Sequence, residues 1–284
     1  MDTIEKIALV MEGGGFKSVF SSGVLDAFLM SKFNPFDIYI GVSSGAMSLS
    51  YYRAGQYKSY FLLSKEVSVN EKFLNYRQAL SEEGYMDLKF LTEYAKQNNP
   101  LEAQRIIELT EDKQFYVVGT SLDNGEAVYL EPNKHNIYKC LRASSSLPFF
   151  TKGKCQINGV DLLDGAWSDP IPAKSAADFG ANKIIVIRPN PLDYKVTGLS
   201  YMGLLAGYWW KNNSKIRDNF FKEHNHYNEA VDFLTKKHKK IEILQICPDS
   251  GLKSGVIGTN IDDLTQDYHD GLEKGMDFLK VNFA

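Results

Sequence analysis

A serine inside a glycine-bounded pentapeptide is the residue of this sequence best suited to nucleophilic chemistry. Residues 41–45 read G-V-S-S-G, a G-x-S-x-G pattern with Ser43 at its centre. The pattern lies between a strand-like run and a helical one, the context of a nucleophile elbow. Such a sharp turn needs small residues, here Gly41 and Gly45, and it holds the hydroxyl at the positive end of a helix. The pentapeptide alone also fits an ordinary loop in which Ser44 caps the helix.

Three consecutive glycines form a second candidate site between the first strand-like run and a helix. They are Gly13, Gly14 and Gly15. Their backbone N–H groups are unshielded, and the start of a helix favours negative charge. A dinucleotide cradle would require an acidic residue at the end of the second strand, which this sequence lacks. The alternatives are an oxyanion hole serving Ser43, which uses both motifs, and a simple glycine-eased turn.

An aspartate at the end of a later strand-like run is the candidate base. Asp164 precedes Gly165, which allows another backbone to approach closely. In isolation, an Asp-Gly pair is typical of an Asx turn that ends a hairpin. An aspartate has an ordinary pKa of about 3.9, so burial or dry contact with the hydroxyl must assist it as a base at neutral pH.

Four blocks, in this order along the chain, resemble the signature motifs of the patatin-like phospholipase family. They are residues 13–17 (G-G-G-F-K), 41–45, 142–148 (R-A-S-S-S-L-P, similar to the family's A-S-x-x-x-P block) and 164–166 (D-G-A). The resemblance covers residues 7–187. Ser18 departs from the glycine that the family usually has there, but serine is nearly as small, so we expect the helix packing to be kept.

The resemblance implies a three-layer α/β/α fold with a mostly parallel central sheet. It also implies hydrolysis of lipid acyl esters by a catalytic dyad of Ser43 and Asp164, without a histidine, as in phospholipases, lysophospholipases and esterases. The glycine loop becomes the oxyanion hole. The supporting residues are Lys17, Gly41, Gly45 and Gly165, although Lys17 also fits a solvated first-turn lysine. No metal and no organic cofactor is expected.

Two other functions remain open from the sequence. Ser43, Asp164 and His269 follow the chain order of an α/β-hydrolase triad. That fold, however, places its elbow after more strands, and His269 falls within a helical stretch. The second alternative is a non-catalytic lipid- or acyl-binding module on the same fold, because intact motifs do not establish geometry.

The elements that must position these residues alternate between short apolar runs and helical periodicity, which is typical of a parallel sheet covered by helices. The predicted strands cover residues 7–11, 37–40, 114–120, 126–130, 155–157, 160–163, 183–187 and 241–247. We expect a single domain over residues 1–284, with a core at about 5–190 and an α-rich C-terminal elaboration at about 191–284.

Composition excludes several classes of protein. With 44% hydrophobic residues the chain is not disordered, and a net charge of −3 argues against a nucleic-acid partner. The three scattered cysteines indicate neither a disulfide framework nor a zinc site. The acidic first residues do not resemble a signal peptide, and no apolar run reaches the roughly 18–20 residues that span a bilayer. We therefore expect a cytoplasmic protein whose partner is a lipid or another acyl ester.

One aromatic segment near the C-terminal end of the chain has three interpretations. Residues 199–210 are rich in Gly, Leu, Tyr and Trp. They fit a wall for an acyl chain, a patch for transient contact with a membrane surface, because Trp and Tyr suit lipid–water boundaries, or a core helix. The oligomeric state is not predicted.

Overall fold

The computed structural model describes residues 5–75, 77, 84–109, 112–151 and 154–283, and folds them into a mixed sheet with helices around it. The strands are β1 (Ile7–Met11), β2 (Ile38–Val42), β3 (Gln114–Ser121), β4 (Ala127–Leu130), β5 (Cys155–Ile157), β6 (Val160–Asp164), β7 (Lys183–Ile187) and β8 (Glu242–Ile246). The helices are α1 (Ser18–Met30), α2 (Ser43–Arg53), α3 (Ser59–Ser68), α4 (Leu88–Asn98), α5 (Ala103–Glu108), α6 (Ile137–Ser144), α7 (Ala173–Asp178), α8 (Tyr201–Trp209), α9 (Ser214–Phe221), α10 (Glu223–Thr235) and α11 (Ile261–Phe283).

The central sheet is mostly parallel, as predicted. Strands β3, β2, β1, β7 and β8 lie side by side and run in one direction. Met11 at the end of β1 is level with Gly41 of β2 and Ile187 of β7. Because the carboxyl ends of these strands meet at one edge, the glycine loop after β1 and the elbow after β2 become neighbours.

Helices cover both faces of this sheet and produce the predicted three layers. Alternate side chains of β1 serve opposite faces: Leu9 packs in one apolar cluster with residues of α1, α2 and α11, and Val10 packs in a second with residues of α7 and α10. Because β1 is buried on both faces, it reads as a continuous apolar run rather than an alternating one.

The edge of β3 determines where the elbow and Asp164 meet. Residues 114–118 of β3 pair with the parallel strand β2, and residues 119–121 pair with the antiparallel strand β6. Strand β4 pairs with residues 117–120 of β3, so β2 and β6 share the opposite edge. Val42 lies opposite Val118 and Asp164 lies opposite Gly119. The ends of β2 and β6 therefore face each other.

The chain beyond residue 190 contacts both the sheet and the helical layer. Strand β8 extends the sheet beside β7, and α11 packs along α1, where the Tyr268 hydroxyl donates to Asp26 at 2.8 Å. Phe61 of α3 stacks on the same tyrosine with ring centroids 4.2 Å apart. Among the helices of the described ranges, none is both long and apolar enough to cross a bilayer.

Candidate active site

Ser43 lies at the junction of β2 and α2 in a left-handed backbone conformation. Its φ is +54°, a region that costs a non-glycine residue about 1–3 kcal/mol and persists only where the surrounding structure enforces it. The two glycines of the pattern enforce it by close packing. A β-carbon at position 41 would lie 2.6 Å from Cα of Ala46, and one at position 45 would lie 2.5 Å from the Glu12 carbonyl oxygen. The turn has the strand-to-helix geometry that the pattern predicts.

Asp164 is buried against Ser43 at the end of β6. Asp164 is 2% exposed, its carboxyl group accepts the Ala166 N–H at 2.9 Å, and the Ser43 side chain is near enough to affect its pKa. Burial raises the pKa of Asp164 to about 6, while the hydrogen bond from the Ala166 N–H and the nearby Ser43 side chain lower it by less. A carboxyl group with this pKa can accept a proton near neutral pH. Gly165 is required next to it, since a β-carbon there would lie 2.4 Å from the Val118 carbonyl oxygen.

The R-A-S-S-S-L-P block holds both of these residues from one side. Ser144 accepts the Ser43 N–H at 2.7 Å and donates its own hydroxyl to the Val118 carbonyl at 2.5 Å. The Ser146 carbonyl accepts the Asp164 N–H at 2.9 Å. The block therefore fixes the backbone of Ser43 and of Asp164 relative to each other.

The glycine loop lies against the elbow through a chain of small polar groups. The Gly14 N–H donates to the Ser44 hydroxyl at 3.0 Å, so that N–H is engaged within the protein. The same hydroxyl shares a 2.7 Å hydrogen bond with Ser18, the residue that departs from the family pattern. Among the described residues, the N–H groups of Gly13 and Gly15 have no acceptor, and both residues line the cavity that contains Ser43.

A buried ion pair anchors the base of the glycine loop. Glu12, directly before the loop, accepts from Arg188 Nε at 3.1 Å, from the Tyr227 hydroxyl at 2.8 Å and from Asn190 Nδ2 at 2.7 Å. Arg188 is fully buried. Lys17 donates to the Asn190 side chain at 3.2 Å and is not among the described residues that line the cavity. Lys17 therefore stabilises the position of the glycine loop.

The cavity beside Ser43 is mostly apolar and has a volume of about 400 Å³. Its polar wall includes Ser43, Asp164, Glu223 and Tyr227. The apolar wall comes mainly from α2, α3, α4 and the segment before α4, and includes Met47, Leu63, Val67, Phe73, Leu88 and Leu91. Of residues 199–210, only Ser200 and Met202 line it. A slender apolar group can therefore lie along α3 and α4 with its polar end at Ser43.

The structure does not bring His269 to this cavity. Its ring packs edge-on against Tyr268 in α11, 5.5 Å between centroids, and no histidine of the described residues lines the cavity. His226 is bonded to the Trp167 carbonyl at 3.0 Å. Within the same described ranges, no three His, Cys, Asp or Glu side chains are grouped so that they could hold a metal ion.

Several residues that shape the site were missed by sequence reasoning. Ser44 and Ser144 lie within the G-x-S-x-G and A-S-x-x-x-P motifs, so their positions in these motifs could have identified them as residues that shape the site. Glu12 stands next to the loop, but its partners Arg188 and Tyr227 lie 176 and 215 residues away. No local pattern connects such distant side chains.

We expect Gly15→Ala to destabilise the protein strongly. Gly15 has a φ of +59°, and a β-carbon there would lie 1.8 Å from the Val256 carbonyl oxygen, so the backbone must shift. The loss should exceed about 3 kcal/mol in the free energy of unfolding, measured by urea denaturation. Gly198→Ala is the matched control, with a φ of +75° and no atom within 4 Å of the added carbon. It should cost only about 1–2 kcal/mol; equal losses would contradict the close packing of the loop.

Comparison with known proteins identifies the family of this chain. Residues 9–177, more than half of the chain, match the family described as patatin-like phospholipase, and residues 213–282 match a domain of unknown function, DUF6363. The chain is 32% identical to the uncharacterized protein YjjU of Escherichia coli (strain K12), over 96% of this chain and 77% of YjjU. It is 25% identical to lysophospholipase NTE1 of Meyerozyma guilliermondii, over 75% of this chain but 15% of that protein.

Among solved structures, VipD from Legionella pneumophila aligns with 98% of this chain and 67% of its own, at 11% identity and a TM-score of 0.49. The family match covers the glycine loop, the elbow, the R-A-S-S-S-L-P block and Asp164. On that match, this chain belongs to the patatin-like phospholipase family, a family of lipid-ester hydrolases.

Proposed function

We propose that this chain is a serine acyl hydrolase that cleaves carboxylic esters of lipids, with Ser43 as nucleophile and Asp164 as general base. The observation that carries the proposal is that Ser43 and the buried carboxyl group of Asp164, whose pKa is raised, lie together on the wall of one apolar cavity, where the ends of β2 and β6 meet. Burial of Asp164 makes it a stronger base than an exposed aspartate. The left-handed backbone of Ser43 is the kind of strain that concentrates at active sites.

In acylation, Ser43 Oγ attacks the acyl carbonyl and its proton passes to Asp164. The carbonyl oxygen becomes an oxyanion, which the N–H groups of Gly13 and Gly15 and the positive end of α2 stabilise. The C–O bond to the alcohol then breaks, and the alcohol leaves with the proton from Asp164. In deacylation, water gives a proton to Asp164 and attacks the ester on Ser43. Release of the fatty acid returns that proton to Ser43.

Substrate choice follows from the walls of the cavity. An acyl chain fits the apolar wall along α3 and α4, and the ester lies where Ser43 and Asp164 meet. A relative of this chain, NTE1, is named as a lysophospholipase, which supports a lipid ester as substrate. The neutral ester bond itself requires no basic surface.

The proposal predicts that hydrolysis improves with acyl length. Each methylene buried in the apolar wall contributes about 0.8 kcal/mol, so kcat/KM should rise about fourfold per methylene. Hydrolysis of p-nitrophenyl acetate, butyrate, hexanoate and octanoate by the purified protein measures the trend. A flat series would contradict an acyl site in this cavity, and wild-type protein that binds fatty acid without cleaving any ester would favour the binding module.

A further inference from the structure

Helix α8 has an unusual distribution of side-chain size. Its buried positions are Gly203, Ala206 and Gly207. Its exposed positions form what we call the α8 face: Tyr201, Leu204, Leu205, Tyr208 and Trp209. Tyr208 and Trp209 are 70% and 71% exposed. The helix therefore turns its large apolar side chains to the outside and its smallest ones to the protein.

The inward small residues are required by the packing of α8 on α9 and α10. A β-carbon at position 203 would lie 2.7 Å from a Glu223 carboxylate oxygen, and one at position 207 would lie 2.6 Å from the Phe221 ring. This close approach fixes which side of α8 faces outward. The orientation of the α8 face therefore follows from the packing, and α8 is not the core helix that one interpretation of the sequence favoured.

An aromatic residue directly after the R-A-S-S-S-L-P block extends this apolar surface. Phe149 follows the 142–148 block, is 39% exposed and packs its ring edge-on against Trp209 at 6.0 Å. Its φ is +68°, an outlier for a bulky residue, and such conformations persist where the structure enforces them. Phe149 thus joins the apolar surface of α8 to the segment that holds Ser43.

The segment that directly follows α8 along the chain is positively charged, although the chain as a whole has a net charge of −3. Residues 211–222 contain four basic side chains and one acidic one. Arg217 pairs with Asp218 at 3.0 Å. Lys211, Lys215 and Lys222 are exposed and have no ion-pair partner among the described residues. Lys211 Nζ lies 5.3 Å from the ring centroid of Tyr208, so this Tyr- and Trp-rich apolar surface carries positive charge at its end and complements an anionic lipid surface.

The same helix reaches the candidate active site. Met202 of α8 and Ser200, which caps α8 by accepting the Gly203 N–H at 2.9 Å, both line the cavity that contains Ser43. One side of α8 thus borders the acyl cavity, and the other presents the α8 face to the surroundings. A lipid drawn from a membrane under this helix would have a short path to Ser43.

We infer that the α8 face is a docking surface for an anionic membrane, into whose interface Tyr208 and Trp209 insert. This inference adds an interaction surface to the proposed hydrolase. It is tested by binding, which does not depend on catalysis, so its failure and the failure of the proposed function are distinguishable.

The test uses the Ser43→Ala protein, which keeps the lipid intact, and vesicles of phosphatidylserine and phosphatidylcholine. We expect the protein to co-sediment with these vesicles, and more weakly in high salt or with phosphatidylcholine alone, because salt screens the lysines. Adding Tyr208→Ser and Trp209→Ser should weaken vesicle binding at least about tenfold. The matched control replaces exposed apolar residues elsewhere, Met30→Ser and Val281→Ser, which are 57% and 82% exposed, and should leave binding unchanged.

A second readout needs no variant of the α8 face. Brominated phosphatidylserine in the vesicles should quench the tryptophan emission of the parent protein, since Trp209 is exposed, Trp210 beside it is half-buried and only Trp167 is buried. No vesicle binding by the parent protein, or equal binding by the Tyr208→Ser/Trp209→Ser variant, overturns the inference. Concentration-dependent self-association that this variant abolishes, without vesicle binding, also overturns it and assigns the face to a second copy of the chain.

Discussion

Replacing Ser43 with alanine is expected to reduce kcat/KM for p-nitrophenyl octanoate by about 10⁴–10⁶-fold, the range for loss of a serine nucleophile. The acyl-enzyme cannot form without the hydroxyl. What remains is slow attack by water, aided by Asp164 and the loop N–H groups. The backbone should keep its shape, since the Ser43 N–H bond to Ser144 at 2.7 Å does not involve the deleted oxygen.

The matched control for this variant is Ser50→Ala, on the same helix. Ser50 is fully buried, and its hydroxyl donates to the Ala46 carbonyl at 2.8 Å, away from the cavity. We expect its activity to stay within about twofold and its stability to fall by about 1 kcal/mol. If Ser43→Ala retained activity close to that of Ser50→Ala, Ser43 could not be the nucleophile.

The second large effect is expected for Asp164→Asn, with a loss of about 10²–10⁴-fold, the usual contribution of a general base. Asparagine can still accept the Ala166 N–H at 2.9 Å, so the turn after β6 should survive. Asp161→Asn in the same strand is the matched control, because its exposed partner is Lys154 at 2.6 Å and it does not line the cavity. His269→Ala should leave kcat/KM unchanged. A large loss of activity in that variant would instead support the triad of Ser43, Asp164 and His269.

The pH dependence of wild type follows from the raised pKa of Asp164, about 6. The base must be deprotonated, so kcat/KM should fall about tenfold for each pH unit below about 6. A raised folded-state pKa means that the folded protein binds this proton more tightly than the unfolded chain does. The bound proton therefore stabilises the folded protein by up to about 3 kcal/mol in the free energy of unfolding. This contribution is present below pH 4 and is lost as the pH rises through about 6.

The pH dependence of stability distinguishes a folded Asp164→Asn variant from a misfolded one. Asparagine does not titrate, so the stability of the variant relative to wild type should increase between about pH 4 and pH 7. Urea denaturation at several pH values measures the difference. A constant difference across this range would contradict a raised pKa at Asp164.

The sequence was informative wherever the physical cause is local. The strands predicted at residues 7–11, 155–157 and 160–163 are observed as β1, β5 and β6, because apolar runs and turn residues such as Asn158-Gly159 act over a few positions. The strand predicted to end at Ile40 continues to Val42, so β2 includes the first two residues of the G-V-S-S-G pattern, and α2 begins at Ser43. Within the C-terminal region predicted to be α-rich, α9 and α10 are two helices separated at Lys222, and α10 ends at Thr235.

Distant pairing could not be read from the sequence in the same way. The meeting of Ser43 and Asp164 depends on β2 and β6 sharing one edge of β3, which is a property of the whole sheet. The anchoring of the glycine loop depends on Glu12, Arg188 and Tyr227, which lie far apart along the chain. The sequence also did not predict which side of α8 packs against the protein, since the segment is apolar on most sides and only the positions of its small residues determine the packed face.

The most direct test of the account is the site at which a fluorophosphonate ester attaches to the protein. Mass spectrometry of a digest of the labelled protein identifies the modified residue. We expect one adduct on Ser43 in wild type, none in Ser43→Ala, and much slower labelling in Asp164→Asn, where no base accepts the serine proton. Wild-type protein that remains unlabelled, or that carries the adduct on another residue, would contradict it.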